Sequence, residues 1–339
     1  MKKTVHSSLP ACRRGRFTVQ KIRKGTVPDL RPETSGVESG LSLSSKRGSA
    51  LVITLLIVTL LTSLTVEFAY EVYVGTAALS NWSNAQRASL IARSGQTLSS
   101  RYVSAESKRS YTYSGEIDVP VEKDFGHDTV LTIKIEDENS KFNINGIIYP
   151  NGLTNEEALS SLKKLFEYLN INPSLALIIA DWIDPDHEPK LSPIPSGTGL
   201  RDSEDMAKNS YLWSVDELNL IEGIDKKTLE IIRPFITVYG NGLVNINTAK
   251  LPVLVSLRDD MTEILAKRII DYRESTPFED TTHVQKVSGM EAMGPLLLGR
   301  ITTKSSNFRI ISTATVNEIT RVIESVMDTS AKVQYWRER

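Results

Sequence analysis

The sequence contains few of the residues on which enzymes and disulfide-stabilised proteins depend. It has one cysteine, Cys12, and four histidines among 339 residues. A single thiol cannot form an intramolecular disulfide, and His127, His187 and His283 show no spacing typical of a metal site or of a Ser-His-Asp triad. A glycine-rich phosphate loop and other catalytic motifs are also missing. We therefore predict a protein that is not an enzyme.

Charge is missing from one stretch in particular. Residues 50–66 form a run of 17 without a charged side chain, and about 17–25 apolar residues are enough to cross the hydrocarbon core of a bilayer. Five of the 17 are Thr or Ser, whose hydroxyl groups can hydrogen-bond to carbonyl groups of the same helix. The run predicts one membrane-spanning helix.

The flanks of this run differ in charge. Residues 1–48 contain 11 Lys or Arg and three acids, a net charge of +8. Residues 49–339 contain 29 basic and 38 acidic residues, a net charge of −9, which the whole-chain value of −1 conceals. Because positively charged flanks stay in the cytoplasm, we predict a single-pass protein with a cytoplasmic N-terminus and an acidic main part on the other side of the membrane.

A glycine lies directly before the apolar run. An ordinary secretory signal would have a small-x-small cleavage site after the run, where the sequence offers only weak candidates. The order "KRG" and then "SALVITLLIVTLL" instead resembles the type III signal cut by prepilin peptidase. This resemblance implies that Gly48 ends a cytoplasmic leader, residues 1–48, and that Ser49 becomes the mature, methylated N-terminus. Because this leader is long for its class, a start codon further along is an alternative.

The fifth residue of the mature chain would then be Ile53. Most pilins have a glutamate there, which compensates the terminal ammonium of a neighbouring subunit. The first carboxylate of this chain is Glu67. Because an unpaired charge in a bilayer costs at least a few kcal/mol, a subunit without this acid is better suited to start a filament than to extend one.

Beyond the membrane the periodicity predicts more helix over residues 77–105 and then short strands. Alternating apolar and polar residues predict strands at 116–122, 127–137, 308–316 and 320–328, with a turn at "NEI" between the last two. The residues between these two groups of strands have helical patterns. Asn-Ile-Asn occurs at 143–145 and again at 245–247, which suggests two related helical lobes, although so short a match does not favour a duplication.

These patterns predict an α+β protein, with a pilin-like long N-terminal helix and an antiparallel sheet interrupted by a large, mainly helical insertion. The predicted parts are a leader at 1–48, a transmembrane and spine helix at 49–107, the first part of the sheet at 108–142, a two-lobed insertion at 143–300, and the last part of the sheet with a C-terminal tail at 301–339.

Four stretches carry a family resemblance: "AQRASLIARSG", "ADWIDPDHEP", "SVDELNLIEGI" and "LVNINTAKLPVL". In this order behind the apolar helix they resemble the type II secretion minor pseudopilin K family, general secretion pathway protein K, over about residues 46–330. The chain departs from the family with "LRDSEDMAKNSYL" where "GAED" and a tyrosine pair are common.

The resemblance implies a bacterial inner-membrane protein with its main part in the periplasm and with SAM-like or helix-hairpin-helix-like lobes. It implies that the protein starts and caps the tip of the pseudopilus and supports export of folded proteins across the outer membrane. The implied partners are minor pseudopilins I and J, the major pseudopilin, the assembly platform, and prepilin peptidase as processing enzyme.

An acidic cluster follows the apolar stretch "PSLALIIA". Its members are Asp181, Asp184, Asp186, Glu188, Asp202, Glu204 and Asp205. Several carboxylates on a turn suit calcium, which takes six to eight oxygen ligands, although the spacing is not that of an EF-hand loop. Helix capping and solvated acids are the alternative, for Asp181 above all, whereas Trp182 and Ile183 are expected in the core. The family resemblance implies calcium binding in this insertion.

A different function is a membrane-anchored DNA-binding or DNA-uptake protein. The stretch from 244 to 289 resembles the helix-hairpin-helix modules of competence DNA receptors, which grip phosphates with backbone amides of a glycine-containing hairpin. Here the hairpin reads "LRDDMTE", with three acids and no glycine. A net charge of −9 over 49–339 also repels phosphate. We therefore expect the fold without nucleic acid as a partner.

Overall fold

The computed structural model divides the chain into two units, the first ending at Phe68 and the second running from Ala69 to Arg339. It describes residues 46–106, 108–119, 121, 125, 128–185 and 208–339.

The first helix, α1, runs from Lys46 to Glu106. It contains no proline, so no interior position lacks a backbone donor. The threonines of the apolar run each donate a hydroxyl hydrogen bond to a carbonyl one turn earlier, as in Thr54 to Leu51 at 2.9 Å and Thr65 to Leu61 at 3.0 Å. The predicted helix and the predicted use of its hydroxyl groups are both confirmed.

The main sheet has five antiparallel strands in the order β1-β2-β7-β8-β9. Its strands are β1 (Glu116–Val119), β2 (Thr129–Asp137), β7 (Asn307–Val316), β8 (Ile319–Asp328) and β9 (Val333–Glu338). Strands β7 and β8 form a hairpin around Asn317 and Glu318, whose φ angles are 44° and 69°. A two-residue hairpin turn needs such left-handed residues, and this confirms the turn predicted at "NEI".

One face of the sheet packs against the second half of α1. Ala88, Ala92 and Val103 of α1 are buried against a cluster of strand residues that includes Ile133 and Ile310. The small residues let the helix approach the sheet closely, and a Cβ atom on Gly95 would lie only 2.2 Å from Oγ of Ser312.

Gln96 adds a polar contact within this packed layer. Its side-chain Nε2 donates to the carbonyl groups of Ile310 and Ile323, at 3.3 and 3.0 Å, and its Oε1 accepts from Oγ of Ser325 at 2.6 Å. Because a buried amide is costly unless it is hydrogen-bonded, these bonds fix the register of α1 on β7 and β8.

The chain between β2 and β7 forms the helical insertion. Its helices are α2 (Glu156–Tyr168), α3 (Leu175–Ile183), α4 (Lys226–Ile232), α5 (Leu251–Ser256), α6 (Glu263–Ser275) and α7 (Gly294–Leu297). Its strands are the two-residue pairs β3 (Phe142–Asn143) with β4 (Ile236–Thr237) and β5 (Val244–Asn245) with β6 (Ile301–Thr302), both parallel.

The two lobes repeat one local structure. In each lobe the Asn-Ile-Asn stretch begins at the last residue of a strand in a parallel pair. Oδ1 of this first Asn, Asn143 or Asn245, accepts from the backbone N–H of the second at 3.0 Å. The side-chain amide of the second Asn then bonds both backbone groups of one distant residue: Leu212 for Asn145, at 2.9 Å each, and Phe278 for Asn247, at 2.8 Å each. The short match in sequence therefore marks a shared architecture.

The boundaries differ from the predicted ones in two respects. The insertion was predicted at 143–300, but the main sheet ends at Asp137 of β2 and continues only at Asn307 of β7. The insertion is longer because the short strands β3 and β6 pair within it and not with the main sheet. The predicted C-terminal tail contains the edge strand β9, whose side chains are mostly exposed and thus show little alternation.

Candidate functional site: the apolar helix, the acidic loop and the polar junction

The apolar run of α1 is exposed along its whole length. Within the described residues, α1 is the one helix long and apolar enough to cross a membrane, with none of its most apolar 18-residue window buried. Gly48 and Ser49 lie in its first turn. Ile53 is 58% exposed, and no carboxylate occurs on α1 before Glu67. The geometry is that of a membrane anchor.

Two of the seven acids singled out by sequence lie in the described part of the chain. Asp181 is in the last turn of α3, and Asp184 follows the helix as its C-cap, with its backbone N–H donating to the carbonyl of Ala180 at 2.9 Å. Asp184 is 1% exposed. Asp186, Glu188, Asp202, Glu204 and Asp205 lie outside the described residues.

The chain returns to the end of α3 after the acidic segment. The backbone N–H of Asn209 donates to the carbonyl of Trp182 at 3.1 Å, so the described residues that precede and follow 186–207 meet at the C-terminal end of this helix. Ile183 is buried in the core of the insertion and Trp182 packs against it, as expected. Among the described residues, no three His, Cys, Asp or Glu side chains are grouped as a metal site would require.

A third feature, the polar junction at residues 137–141, was not predicted from the sequence. Asp137 is fully buried at the end of β2 and its carboxylate accepts from the hydroxyls of Thr248 and Ser305 at 2.5 and 2.6 Å. Burial raises the pKa of Asp137 to about 6, although these hydrogen bonds act in the opposite direction. The junction thus ties the end of the sheet to the second lobe.

The neighbouring carboxylate, Glu138, is paired instead. Its Oε1 lies 2.8 Å from Nζ of Lys141 and 2.7 Å from Nε of Arg309, and the hydroxyl of Thr237 donates to its other oxygen. Burial opposes ionisation of Glu138, but the two cations more than offset it and lower its pKa to about 2. The run of consecutive polar residues "EDENSK" directly after an alternating strand was the available signal for this junction.

Asn139 closes the junction. Its Oδ1 accepts from the backbone N–H groups of Ser306 and Asn307 at 2.9 and 3.2 Å. Its Nδ2 donates to the carbonyl of Leu243 at 3.0 Å. One side chain therefore connects the start of the insertion, its middle and its end.

The hairpin that resembles a DNA-binding module presents its backbone differently from a phosphate grip. Nζ of Lys164 donates to the carbonyls of Arg258, Asp259 and Met261 at 2.6–2.8 Å, so carbonyl oxygens rather than amides of this turn are engaged. In the first lobe the carboxylate of Asp225 already accepts from the N–H of Thr228 at 2.7 Å. Both hairpins carry carboxylates, which repel phosphate.

Comparison with known proteins agrees with this architecture. Models of the family "Type II secretion system (T2SS), protein K" match residues 140–241 and 244–303. The type II secretion system protein K of Pseudomonas aeruginosa is 22% identical over 213 residues, 58% of this chain and 60% of the relative. The chain thus spans about 60% of the length of this curated relative.

A solved structure shows the same fold. A chain in the crystal structure of the GspK-GspI-GspJ complex from the type 2 secretion system of enterotoxigenic Escherichia coli aligns with a TM-score of 0.61 and 19% identity, covering 78% of this chain and 99% of that chain. The matched family segments comprise both lobes, and they lie behind a long apolar helix and within a pilin-like sheet. Both lobes of the insertion are therefore those of the type II secretion system protein K family.

Proposed function

We propose that this protein starts and caps the tip of a type II secretion pseudopilus and so supports export of folded proteins across the outer membrane. The observation that carries the proposal is the absence of a carboxylate between Ser49 and Val66 of α1. In hydrocarbon, the terminal ammonium of a neighbour would find no partner on this helix, and an unpaired charge there costs a few kcal/mol. A subunit of this kind has little electrostatic gain from docking beneath an existing filament end.

The insertion supports the same position. Residues 138–306 separate two adjacent strands of the sheet, β2 and β7, and the described residues of this stretch form a large apolar core together with Val326 of β8. A filament end leaves space for so large an addition, whereas an internal position has a subunit on either side. The GspK-GspI-GspJ complex suggests minor pseudopilins I and J as the partners that assemble with this protein, and the major pseudopilin and assembly platform would follow below.

Co-purification tests this assignment. The full-length protein, extracted from membranes in mild detergent, should retain the I and J proteins encoded by the same organism when all three are co-expressed. The major pseudopilin expressed in their place serves as the control and should be retained less. Equal retention of all three proteins, or none, would contradict a dedicated tip complex.

The orientation and processing belong to the same proposal. We infer that residues 1–48 are cytoplasmic and that prepilin peptidase cuts between Gly48 and Ser49. The acidic part would then lie in the periplasm, anchored to the inner membrane by α1. The net charge of +8 before Ser49 and −9 from Ser49 onward supports this direction.

We also propose calcium as a ligand of the acidic loop. Asp184 and Asp181 fit the role in part, because they are carboxylates at the C-terminal end of α3, directly before the other acids in sequence. Two carboxylates are too few for calcium, which takes six to eight oxygens. Asp186, Glu188, Asp202, Glu204 and Asp205 would therefore have to supply most of the others.

Thermal unfolding of the full-length protein in detergent tests calcium binding. A cation that binds only the folded protein stabilises it by about 2.7 kcal/mol at a hundredfold excess over its dissociation constant. The melting temperature should rise with millimolar calcium and fall with chelator. Replacing both Asp184 and Asp186 by Asn should abolish this difference, whereas Asp271→Asn, on the exposed face of α6, should preserve it. Identical melting with calcium and with chelator would leave these acids as helix caps and solvated surface.

A further inference from the structure

A cleft lies between the sheet and the insertion. It has a volume of about 710 Å³, and seven basic and four acidic side chains line it. Its floor is the face of the sheet opposite α1, since Ile133, Ile135 and Ile310 point to α1 while the intervening Lys134 and Arg309 point into the cleft. Its walls come from both lobes and from β9.

Each cation of the floor forms ion pairs with carboxylates. Lys134 lies 2.7 Å from Glu116 and 3.1 Å from Glu136, and Lys141 also reaches Glu136 at 3.3 Å. Arg309 bridges Glu138 and Glu324. Three cations thus meet four carboxylates there, Glu138 lying behind the surface, and this part of the cleft joins the insertion to the sheet.

The mouth of the cleft carries an excess of positive charge. Arg233, at the end of α4, and Arg337, on β9, share the single carboxylate of Asp216, with the Arg337 contact at 3.1 Å. Lys250, before α5, is exposed and has no ion pair among the described residues. Three cations therefore face one carboxylate. Arg339 also lines the cleft.

This charge is opposite to that of the remaining protein. Residues 49–339 carry a net charge of −9, so a local excess of +2 among three elements distant in sequence is not a property of the surface as a whole. Arg233, Arg337 and Asp216 are 44%, 49% and 38% exposed, which leaves guanidinium donors open to solvent. An Arg fork binds a carboxylate with two parallel hydrogen bonds.

We propose that this cleft is a docking site for an acidic peptide segment of a partner protein, whose carboxylates complete the coordination of Arg233, Arg337 and Lys250. A peptide fits better than a small anion because the cations come from separate walls of a cleft whose volume holds several residues. The proposal goes beyond the tip assignment and does not depend on it, since it concerns a surface of the insertion and sheet rather than α1.

Binding of a fluorescein-labelled hexaglutamate peptide to the full-length protein in detergent, measured by fluorescence anisotropy at low salt, tests the proposal. Residues 1–48 carry a net charge of +8 and also attract an acidic peptide. The test is therefore the difference in peptide affinity between the variants and the wild type. Exposed ion pairs contribute about 0.2–1 kcal/mol each, so Arg233→Gln with Lys250→Gln should weaken binding by about two- to thirtyfold. Asp216→Asn removes the competing carboxylate and should tighten binding severalfold.

The matched control is Arg258→Gln with Lys267→Gln. It removes the same charge from cations paired with Asp260 and Glu263 elsewhere on the second lobe, and it should leave binding unchanged. Equal weakening by both double variants, or no tightening by Asp216→Asn, would overturn the proposal. Displacement of the peptide by an equal concentration of inorganic phosphate would overturn it in favour of a small-anion site. If the first double variant fails to fold, Lys250→Gln alone replaces it, since that side chain has no ion pair to lose among the described residues.

Discussion

The close approach of α1 to the sheet at Gly95 gives a sharp prediction of stability. A Cβ atom at this position would lie 2.2 Å from Oγ of Ser312 and 3.3 Å from side-chain carbons of Ile133 and Leu131. Ser312 is fully buried, so the hydroxyl has little space into which to move. Overpacking of this kind costs about 1–3 kcal/mol, whereas Gly→Ala within a helix gains about 1 kcal/mol in propensity. We expect Gly95→Ala to destabilise the protein by up to about 2 kcal/mol.

Gly75→Ala is the matched control, because Gly75 lies in the same helix and a Cβ atom there would meet nothing within 4 Å. It should leave stability unchanged or raise it by about 1 kcal/mol. The difference between the two variants therefore isolates the steric contact.

A second substitution identifies the atom responsible. Ser312→Ala removes only the hydroxyl, which is buried and lacks a hydrogen-bond partner among the described residues, so it should cost little alone and should rescue Gly95→Ala. The double-mutant cycle comprises the wild type, Gly95→Ala, Ser312→Ala and the double variant. Denaturant unfolding of these four proteins in detergent should give a coupling energy of about 1–2 kcal/mol. Additive effects, or a Gly95→Ala protein as stable as Gly75→Ala, would refute the close contact between α1 and β7.

Other parts of the molecule give further predictions. Glu138→Ala should cost about 3–5 kcal/mol, because Arg309 would be left without one of its two carboxylates in a mostly buried position. In the wild type, folding lowers the pKa of Glu138 from 4.5 to about 2. The ionised carboxylate therefore contributes fully to stability above pH 4.5, and this contribution is lost as the pH falls toward 2. Unfolding followed by circular dichroism from pH 2 to 7 should show this loss in the wild type and not in the variant. Gly48→Leu should block processing, so that mass spectrometry of the membrane-extracted protein no longer finds a methylated N-terminus at residue 49; a wild-type N-terminus after residue 66 would contradict a pilin-type signal. The Ile53→Glu variant should insert into the membrane, but it should enter internal filament positions and impair secretion. Ile57→Glu, one turn later, should not let the subunit enter internal positions. Normal secretion by the Ile53→Glu variant would make the missing acid incidental.

The helices and strands that could be predicted from the sequence are those in which a single environment sets the hydrophobic periodicity. The apolar run of α1 and the alternating strands β2, β7 and β8 each face one partner, so their patterns are regular. β9 was missed because an edge strand exposes most of its side chains, and α7 because it has only four residues. The family resemblance supplied what periodicity could not, namely the identity of the insertion.

The polar contacts escaped prediction for a different reason. The carboxylate of Asp137 meets Thr248 and Ser305, which are 111 and 168 residues away in sequence, and no local pattern records such a meeting. Asp181 and Asp184 were recognisable as acids after an apolar helix, and the structure places them together at the end of α3. Calcium binding by the acidic loop remains a prediction, because most of the proposed ligands lie outside the described residues.

The bridge made by Asn139 has a consequence for the order of folding. Strands β2 and β7 are neighbours in the sheet although residues 138–306 lie between them, and closing an unstructured loop of this length costs about 4–5 kcal/mol by the logarithmic law, before the constant term. Once the lobes have folded, Asn139 holds Ser306 and Asn307 beside the end of β2, and the loop that must still be closed is only a few residues long. The β7-β8 hairpin can form early from local contacts, but β2 should join it only after the insertion is complete. The helical lobes would thus act as an internal template for the sheet, and slow folding of the lobes would delay the burial of α1 against it.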